Sequence, residues 1–126
     1  MSNKLIEMFS KIVERTVSRC NHNRYKMVAA IFKGNRLISI GWNDFEKSHP
    51  HYHFNGSQCR THAEFSAINR CRHKHDLTGA TIMVYGETKI GSQILAKPCK
   101  FCENSIRKEG ISKIIYSTSY TGWEEM

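Results

Sequence analysis

Apolar residues recur at Leu5, Ile6, Phe9, Ile12, Val13, Val17 and Cys20. That spacing is one face of a helix and predicts α-structure over about 3–20. "NHNRY" then breaks the period. "KMVAAIF" and "RLISIGW" follow as two strand-like runs joined by "KGNR", where Gly34-Asn35 suits a tight hairpin turn. A polar stretch over 43–61, "NDFEKSHPHYHFNGSQCRT", is long for a connection, and long loops without regular structure are often functional. A second helix starts at Thr61 or His62, buries Ala63, Ala67, Ile68 and Cys71, and ends near His75 before the turn-like "DLTG". "ATIMVYGE" reads as a buried strand, being rich in β-favouring residues. "TKIGSQILAK" reads as a loop. A third helix opens near Pro98, where a missing N–H is tolerated, and closes at Gly110 as a C-cap glycine. "SKIIYSTS" is the last strand and "YTGWEEM" a short tail.

A hairpin followed by alternating helices and strands implies an α/β layer sandwich. The later strands should be parallel, because helices carry their crossovers. No repeat, low-complexity segment or linker divides the 126 residues, so one domain over 1–126 is expected. The longest apolar run, "MVAAIF", is far too short to span a membrane. The N-terminal stretch lacks a secretory signal, and Glu7 and Glu14 argue against a mitochondrial presequence. A cytoplasmic protein with reduced thiols is the expectation.

The formal net charge of +8 suggests an anionic partner. A phosphate-bearing nucleotide, a nucleic acid strand or mere solubility would each satisfy it. For Arg70 and Lys74 a solvated helix face is the simpler reading.

Two helix starts carry the chemistry. His62 and Glu64 head the second helix, and Cys99 and Cys102 head the third. A C-x₂-C spacing lets two thiolates on one helical turn bind one ion, and His62 from the other helix makes three ligands. Helix N-termini favour thiolate over thiol. Three protein ligands leave one tetrahedral corner open, which separates a catalytic zinc from a structural one. Glu64 is then placed to shuttle a proton without touching the metal. A C-x₂-C can instead be a redox pair, or half of a structural site completed by Cys59, His51, His53 or Cys20. The combined pattern H-x-E…P-C-x-x-C decides against both, being that of zinc nucleobase deaminases.

On these residues the chain resembles the cytidine and deoxycytidylate deaminase superfamily. "THAEFSAI" is similar to its first zinc helix, and "KPCKFCENSIRKEGISKIIYS" to its second with the following strand. "LISIGWN" is similar to its second strand and substrate-contacting asparagine. The resemblance implies a three-layer α/β/α sandwich with a central mixed sheet of four to five strands, the first two forming the hairpin. It implies zinc on His62, Cys99 and Cys102, proton transfer by Glu64, a sugar contact from Asn43 and a pyrimidine contact from the backbone of Ala63. By analogy it also implies a homo-oligomer. Two departures stand out: the connection after the third strand is extended by "ETKIGSQILAK", and the chain ends soon after its fourth strand.

The expected reaction is hydrolytic deamination of cytosine to uracil in a nucleotide of the dCMP or CMP type. Lys47, His49, Arg60 and Lys97 flank the motifs and are phosphate-binding candidates, with ordinary surface charge as the alternative for each. Single-stranded DNA or RNA is the alternative substrate. It would need a basic groove and stacking platforms, for which Tyr52, Phe54, Trp42 and Trp123 are candidates. An inactive zinc-stabilised nucleotide-binding module is the non-enzymatic alternative, and the intact Glu64 argues against it. One catalytic zinc is expected. A second, structural zinc on His49, His51, His53 and Cys59 is weighed against a solvated loop with scattered histidines, which is the simpler reading.

Overall fold

The computed structural model describes residues 3–20, 25–48, 60–61, 63–119 and 121–126. Helix α1 (Asn3–Thr16) is followed by a 3-10 turn (Val17–Arg19). Strands β1 (Tyr25–Lys33) and β2 (Arg36–Trp42) form the hairpin, and β3 (Asp44–Ser48) and β4 (Arg60–Thr61) pair with each other. Then come α2 (Ala63–Cys71), β5 (Thr81–Thr88), β6 (Gln93–Ile94), α3 (Lys100–Lys108), β7 (Lys113–Ser117) and β8 (Trp123–Glu125).

The main sheet runs β2-β1-β5-β7-β8, with β6 on the end of β5. Strand β1 lies antiparallel to both neighbours, pairing Val28 with Trp42 on β2 and with Tyr85 on β5. A register shift between Ile31 and Phe32 bulges the hairpin, which increases its local twist. Strand β7 is parallel to β5, with Ile82 opposite Ile114. Helix α3 bridges the two, as a parallel pair requires.

Three layers follow from the period of two along the strands. Val28, Ala30 and Phe32 of β1 join Met83 and Ile115 on one face, against Leu5, Phe9 and Val13 of α1. The four-residue steps from Leu5 to Phe9 to Val13 put all three on one stripe of the helix. Ala29 and Ile31 join Ile82, Val84 and Ile114 on the other face, against Ala67 and Ile68 of α2 and Ile106 of α3. A strand covered on both sides is apolar without alternation, which is why "MVAAIF" reads as one run.

The sheet has six strands where four to five were expected. Both additions are short. Gln93 and Ile94 pair with Glu87 and Gly86, and Trp123 to Glu125 pair antiparallel with Ser117 to Ile115. Neither run has enough residues to show a period. The polar stretch over 43–61 is also not all loop, since its ends pair through Asp44 with Thr61 and Ser48 with Arg60. Helix α2 stops at Cys71, short of His75. Among the described residues no helix is long and apolar enough to cross a membrane.

Candidate active site

Helix α3 begins where the chain dictates. Pro98 disfavours helical backbone in the residue before it, and Cys99 takes the N-cap position with φ −67° and ψ 168°. Pro98 therefore precedes the cap instead of lying in the first turn. The Cys102 N–H donates to the Cys99 sulfur at 3.4 Å. The thiol thus does what a serine or aspartate cap does elsewhere, satisfying one of the free N–H groups of the first turn. Glu103, Arg107 and Lys108 sit at the ends that suit the helix dipole. Gly110, with φ 89°, closes the helix in the left-handed conformation that favours glycine, and the Gly110 N–H donates to the Arg107 carbonyl at 3.0 Å.

Cys102 shares a helix face with Ile106, four residues on, and both are buried. Cys99 is exposed. One sulfur therefore faces inward and its partner faces out, three residues apart on one turn.

Helix α2 delivers the carboxylate. Glu64 lies in its first turn and is only 5% exposed. It shares a face with Ile68, so the apolar stripe that seats the helix carries Glu64 inward with it. A buried carboxylate at a helix N-terminus gains from the dipole. The seat itself is tight. A side chain at Gly41 of β2 would meet the Ala67 nitrogen at 2.3 Å and the Ala63 carbonyl oxygen at 2.4 Å, so α2 backbone lies directly on β2 backbone. The buried Ser39 hydroxyl donates to the Ala67 carbonyl at 2.7 Å and fixes the helix on the strand.

The two helix starts are joined by aromatic rings. Phe65, next to Glu64, meets Phe101, between the two cysteines, with centroids 5.8 Å apart and planes at 90°. Edge-to-face pairs of this kind are favourable beyond their burial. Neither phenylalanine stands out in the sequence. The available signal was an aromatic residue beside each half of the motif.

The other expected site residues divide. Ala63 begins α2 and is buried beside Gly41. Asn43 is buried, and its amide is used on β1: its Oδ1 accepts from the Met27 N–H at 3.0 Å and its Nδ2 donates to the Tyr25 carbonyl at 3.1 Å. It continues the hairpin ladder by one side chain. Lys47 is on β3 and Arg60 on β4, on strands whose pairing leads into α2. Lys97 is exposed just ahead of the Cys99 cap. His62 and His49 lie outside the described residues, as do His51, His53, Cys59, Tyr52 and Phe54 of the second-zinc and stacking expectations. Cys20 and Cys71 are buried, as their apolar helix faces predict. Burial pushes both thiols up, against a lowering hydrogen bond from the Met27 backbone for Cys20 and from Ser39 for Cys71.

Among the described residues no three metal-binding side chains gather. The donor chemistry still fits zinc. Two thiols one helical turn apart, one capping the turn, are a C-x₂-C pair in binding order, and the neighbouring helix carries a buried carboxylate in its first turn.

No functionally curated protein matches the chain. Among solved structures it is similar to the dCMP deaminase of cyanophage S-TIM5 in complex with dCMP and dUMP, at 21% identity and a TM-score of 0.63, over 95% of this chain and 85% of that one. It is similar to the cytidine deaminase of Burkholderia pseudomallei at 15% identity and a TM-score of 0.66, over 100% of this chain and 92% of that one. A third likeness is to the diaminohydroxyphosphoribosylaminopyrimidine deaminase/5-amino-6-(5-phosphoribosylamino)uracil reductase of Thermotoga maritima, at 25% identity and a TM-score of 0.56, over 90% of this chain and 29% of that one. At such identities these likenesses speak for the cytidine-deaminase-like fold. The family model described as the cytidine and deoxycytidylate deaminase zinc-binding region matches residues 3–118, nearly the whole chain, and the protein belongs to that family.

Proposed function

We propose that the protein is a zinc-dependent hydrolytic deaminase that converts cytosine to uracil in a nucleotide of the dCMP or CMP type. The observation that carries this reading is the buried Glu64 carboxylate at the start of α2, tied through Phe65 and Phe101 to the Cys99–Cys102 turn of α3. A family-wide zinc-binding region and a fold similar to a dCMP deaminase support it.

His62, Cys99 and Cys102 would hold the zinc. Zinc, when bound, supplies Lewis-acid activation for hydrolysis. The chain's own part is proton transfer and orientation. Glu64 takes a proton from the attacking water and gives it to the ring nitrogen beside the amine-bearing carbon. It then moves the second proton to the leaving amine. Water adds, the carbon–nitrogen bond breaks, and ammonia leaves. Burial of Glu64 keeps bulk water from competing for either proton. Ala63 offers backbone to the pyrimidine edge. The Asn43 side chain is held by two hydrogen bonds to β1, and it keeps one further N–H for a substrate hydroxyl.

Free nucleotide is preferred over polynucleotide as the substrate. The charge of +8 favours the second reading, a cytosine in a single strand. One panel tests both: ammonia release from cytidine, deoxycytidine, their monophosphates and an oligonucleotide, with zinc-loaded protein. Turnover should be fastest with a monophosphate. The absence of ammonia from every cytosine substrate would sink the reaction.

A further inference from the structure

The sheet ends at β2, and at the last residue of that edge strand two arginines converge on one indole. The Arg70 guanidinium carbon lies 4.2 Å from the centroid of the Trp42 ring, and that of Arg19 lies 5.3 Å from it. Both are within cation–π range. They arrive from opposite layers. Arg19 closes the 3-10 turn after α1, while Arg70 stands in the last turn of α2, across the sheet.

Two like charges held on one ring repel each other, being closer together than roughly a Debye length. Among the described residues, no carboxylate is seen paired with either arginine. Both side chains are exposed and Trp42 is half-buried. A guanidinium drawn to an aromatic ring by its charge retains N–H groups to donate to a ligand. Two such guanidinium forks at one sheet edge supply N–H donors for phosphate oxygens, which guanidinium recognises in bidentate fashion.

We propose that Arg19, Trp42 and Arg70 form a phosphate-binding cluster for a nucleotide lying across the β2 edge. Arg70 is six residues beyond Glu64 on α2, so the cluster stands about 9 Å along the helix from the carboxylate. The phosphate it holds belongs either to a free nucleotide or to a strand that runs past the deamination centre. The cluster is independent of the deamination proposed above, since binding there needs neither zinc nor Glu64.

Trp42 reports on its own occupancy. The chain has two tryptophans, so Trp123→Phe leaves Trp42 as the single emitter. Cytidine, cytidine monophosphate and a short oligocytidylate are titrated into this protein, zinc-loaded, at several salt concentrations. Both phosphate-bearing ligands should change Trp42 emission, and cytidine should not. Adding Arg19→Gln and Arg70→Gln should raise their Kd about tenfold or more. Arg19→Lys with Arg70→Lys, which keeps charge but loses the fork, should recover part of the binding, as a fold defect would not. If the phosphate is a strand's, the double glutamine variant should also lose about 1.4 from the log–log salt slope, as each contact on a single strand contributes about 0.7. A response to the monophosphate with no tighter binding of the oligomer identifies a free nucleotide. Cytidine acting as strongly as its monophosphate overturns the cluster, and so does a double glutamine variant that binds both phosphate ligands as well as its parent. Emission reads binding without turnover. An intact Trp42 response in a protein that releases no ammonia would remove the deaminase reading and leave this site standing.

Discussion

The ring of Phe101 meets the ring of Phe65 edge to face at 5.8 Å, and this contact links the first turns of the two helices that carry Glu64 and the cysteine pair. Phe65 is buried and Phe101 half-buried, so the pair lies between core and site. In the proposed site both would act as positioning residues, holding the two helix starts in register. Phe101→Leu keeps apolar volume but removes the ring edge, a loss of about 0.5–1.5 kcal/mol. We expect the apo-protein to remain folded, with Tm lowered by a few degrees. Zinc affinity, measured against a chromophoric chelator, should fall about tenfold, because the two halves of the site no longer sit in one fixed register. Zinc affinity equal to that of the parent would show the ring pair to be packing alone.

Glu64→Gln separates chemistry from metal. The amide is nearly isosteric with the carboxylate and cannot carry the proton. Ammonia release should drop by about 10²–10⁴-fold, the usual contribution of general acid–base help. Elemental analysis should still give about one zinc per chain, as Glu64 is not among the proposed ligands. Retained turnover would remove Glu64 from its role.

Much of this was legible in the chain because the signals are local. The stop at Gly110 and the hairpin at Gly34-Asn35 each follow from a few adjacent residues, whereas the Cys99 cap was not read. The buried stripe of α2 followed from its spacing. What sequence reading missed is set by tertiary packing. Phe65 and Phe101 are 36 positions apart and meet only once α2 and α3 share a sheet face. Arg70 reads as a solvated helix residue, and only the fold brings it over Trp42. Asn43 reads as a substrate contact, and the fold adds its two bonds to β1. The strand Trp123–Glu125 is too short for a periodic signal, and its pairing with β7 decides it.

Cys99→Ser should divide the two roles of that residue. The Cys99 sulfur, a weak acceptor, caps α3 at 3.4 Å, and serine is among the strongest N-caps. The zinc-free variant should therefore be as stable as the zinc-free parent, or more stable by up to about 1 kcal/mol. Its zinc content should fall far below that of the parent, since a serine hydroxyl stays protonated where a thiol ionises. Comparing the two proteins by urea melting after chelation, and by zinc analysis before it, checks both halves.

Gly41→Ala tests the seat of α2. The added carbon would lie 2.3 Å from the Ala67 nitrogen and 2.4 Å from the Ala63 carbonyl oxygen, both backbone atoms that no rotamer change can move. The helix must lift off the strand, and the Ser39 hydrogen bond to Ala67 stretches with it. Overpacking of this kind costs about 1–3 kcal/mol or more. Because Ala63 adjoins Glu64, deamination should fall further than stability does when each is measured at a temperature where the variant is fully folded. Unchanged activity would place Glu64 outside the reach of this contact.

Alkaline pH should unfold the protein through buried acids held in their neutral forms. Burial, then the Glu87 carboxylate, push the Tyr85 hydroxyl from 10 up to about 12. The Tyr85 hydroxyl donates to Glu87 Oε1 at 3.1 Å, and ionising it would set two negative charges side by side. The hydrogen bond to Glu124 raises Tyr116, and burial raises the Cys20 and Cys71 thiols above 9. In each case the folded chain holds its proton more tightly than the unfolded chain. The unfolded state then binds fewer protons above the ordinary values, so stability falls as pH rises. The loss should begin near pH 9 with the thiols and steepen between pH 10 and about 12 with Tyr85. Urea midpoints measured across that range should show the decline. Tyr85→Phe should flatten its upper part while leaving the onset near pH 9 in place, and a variant whose profile retains the parent's slope above pH 10 would remove Tyr85 as its cause.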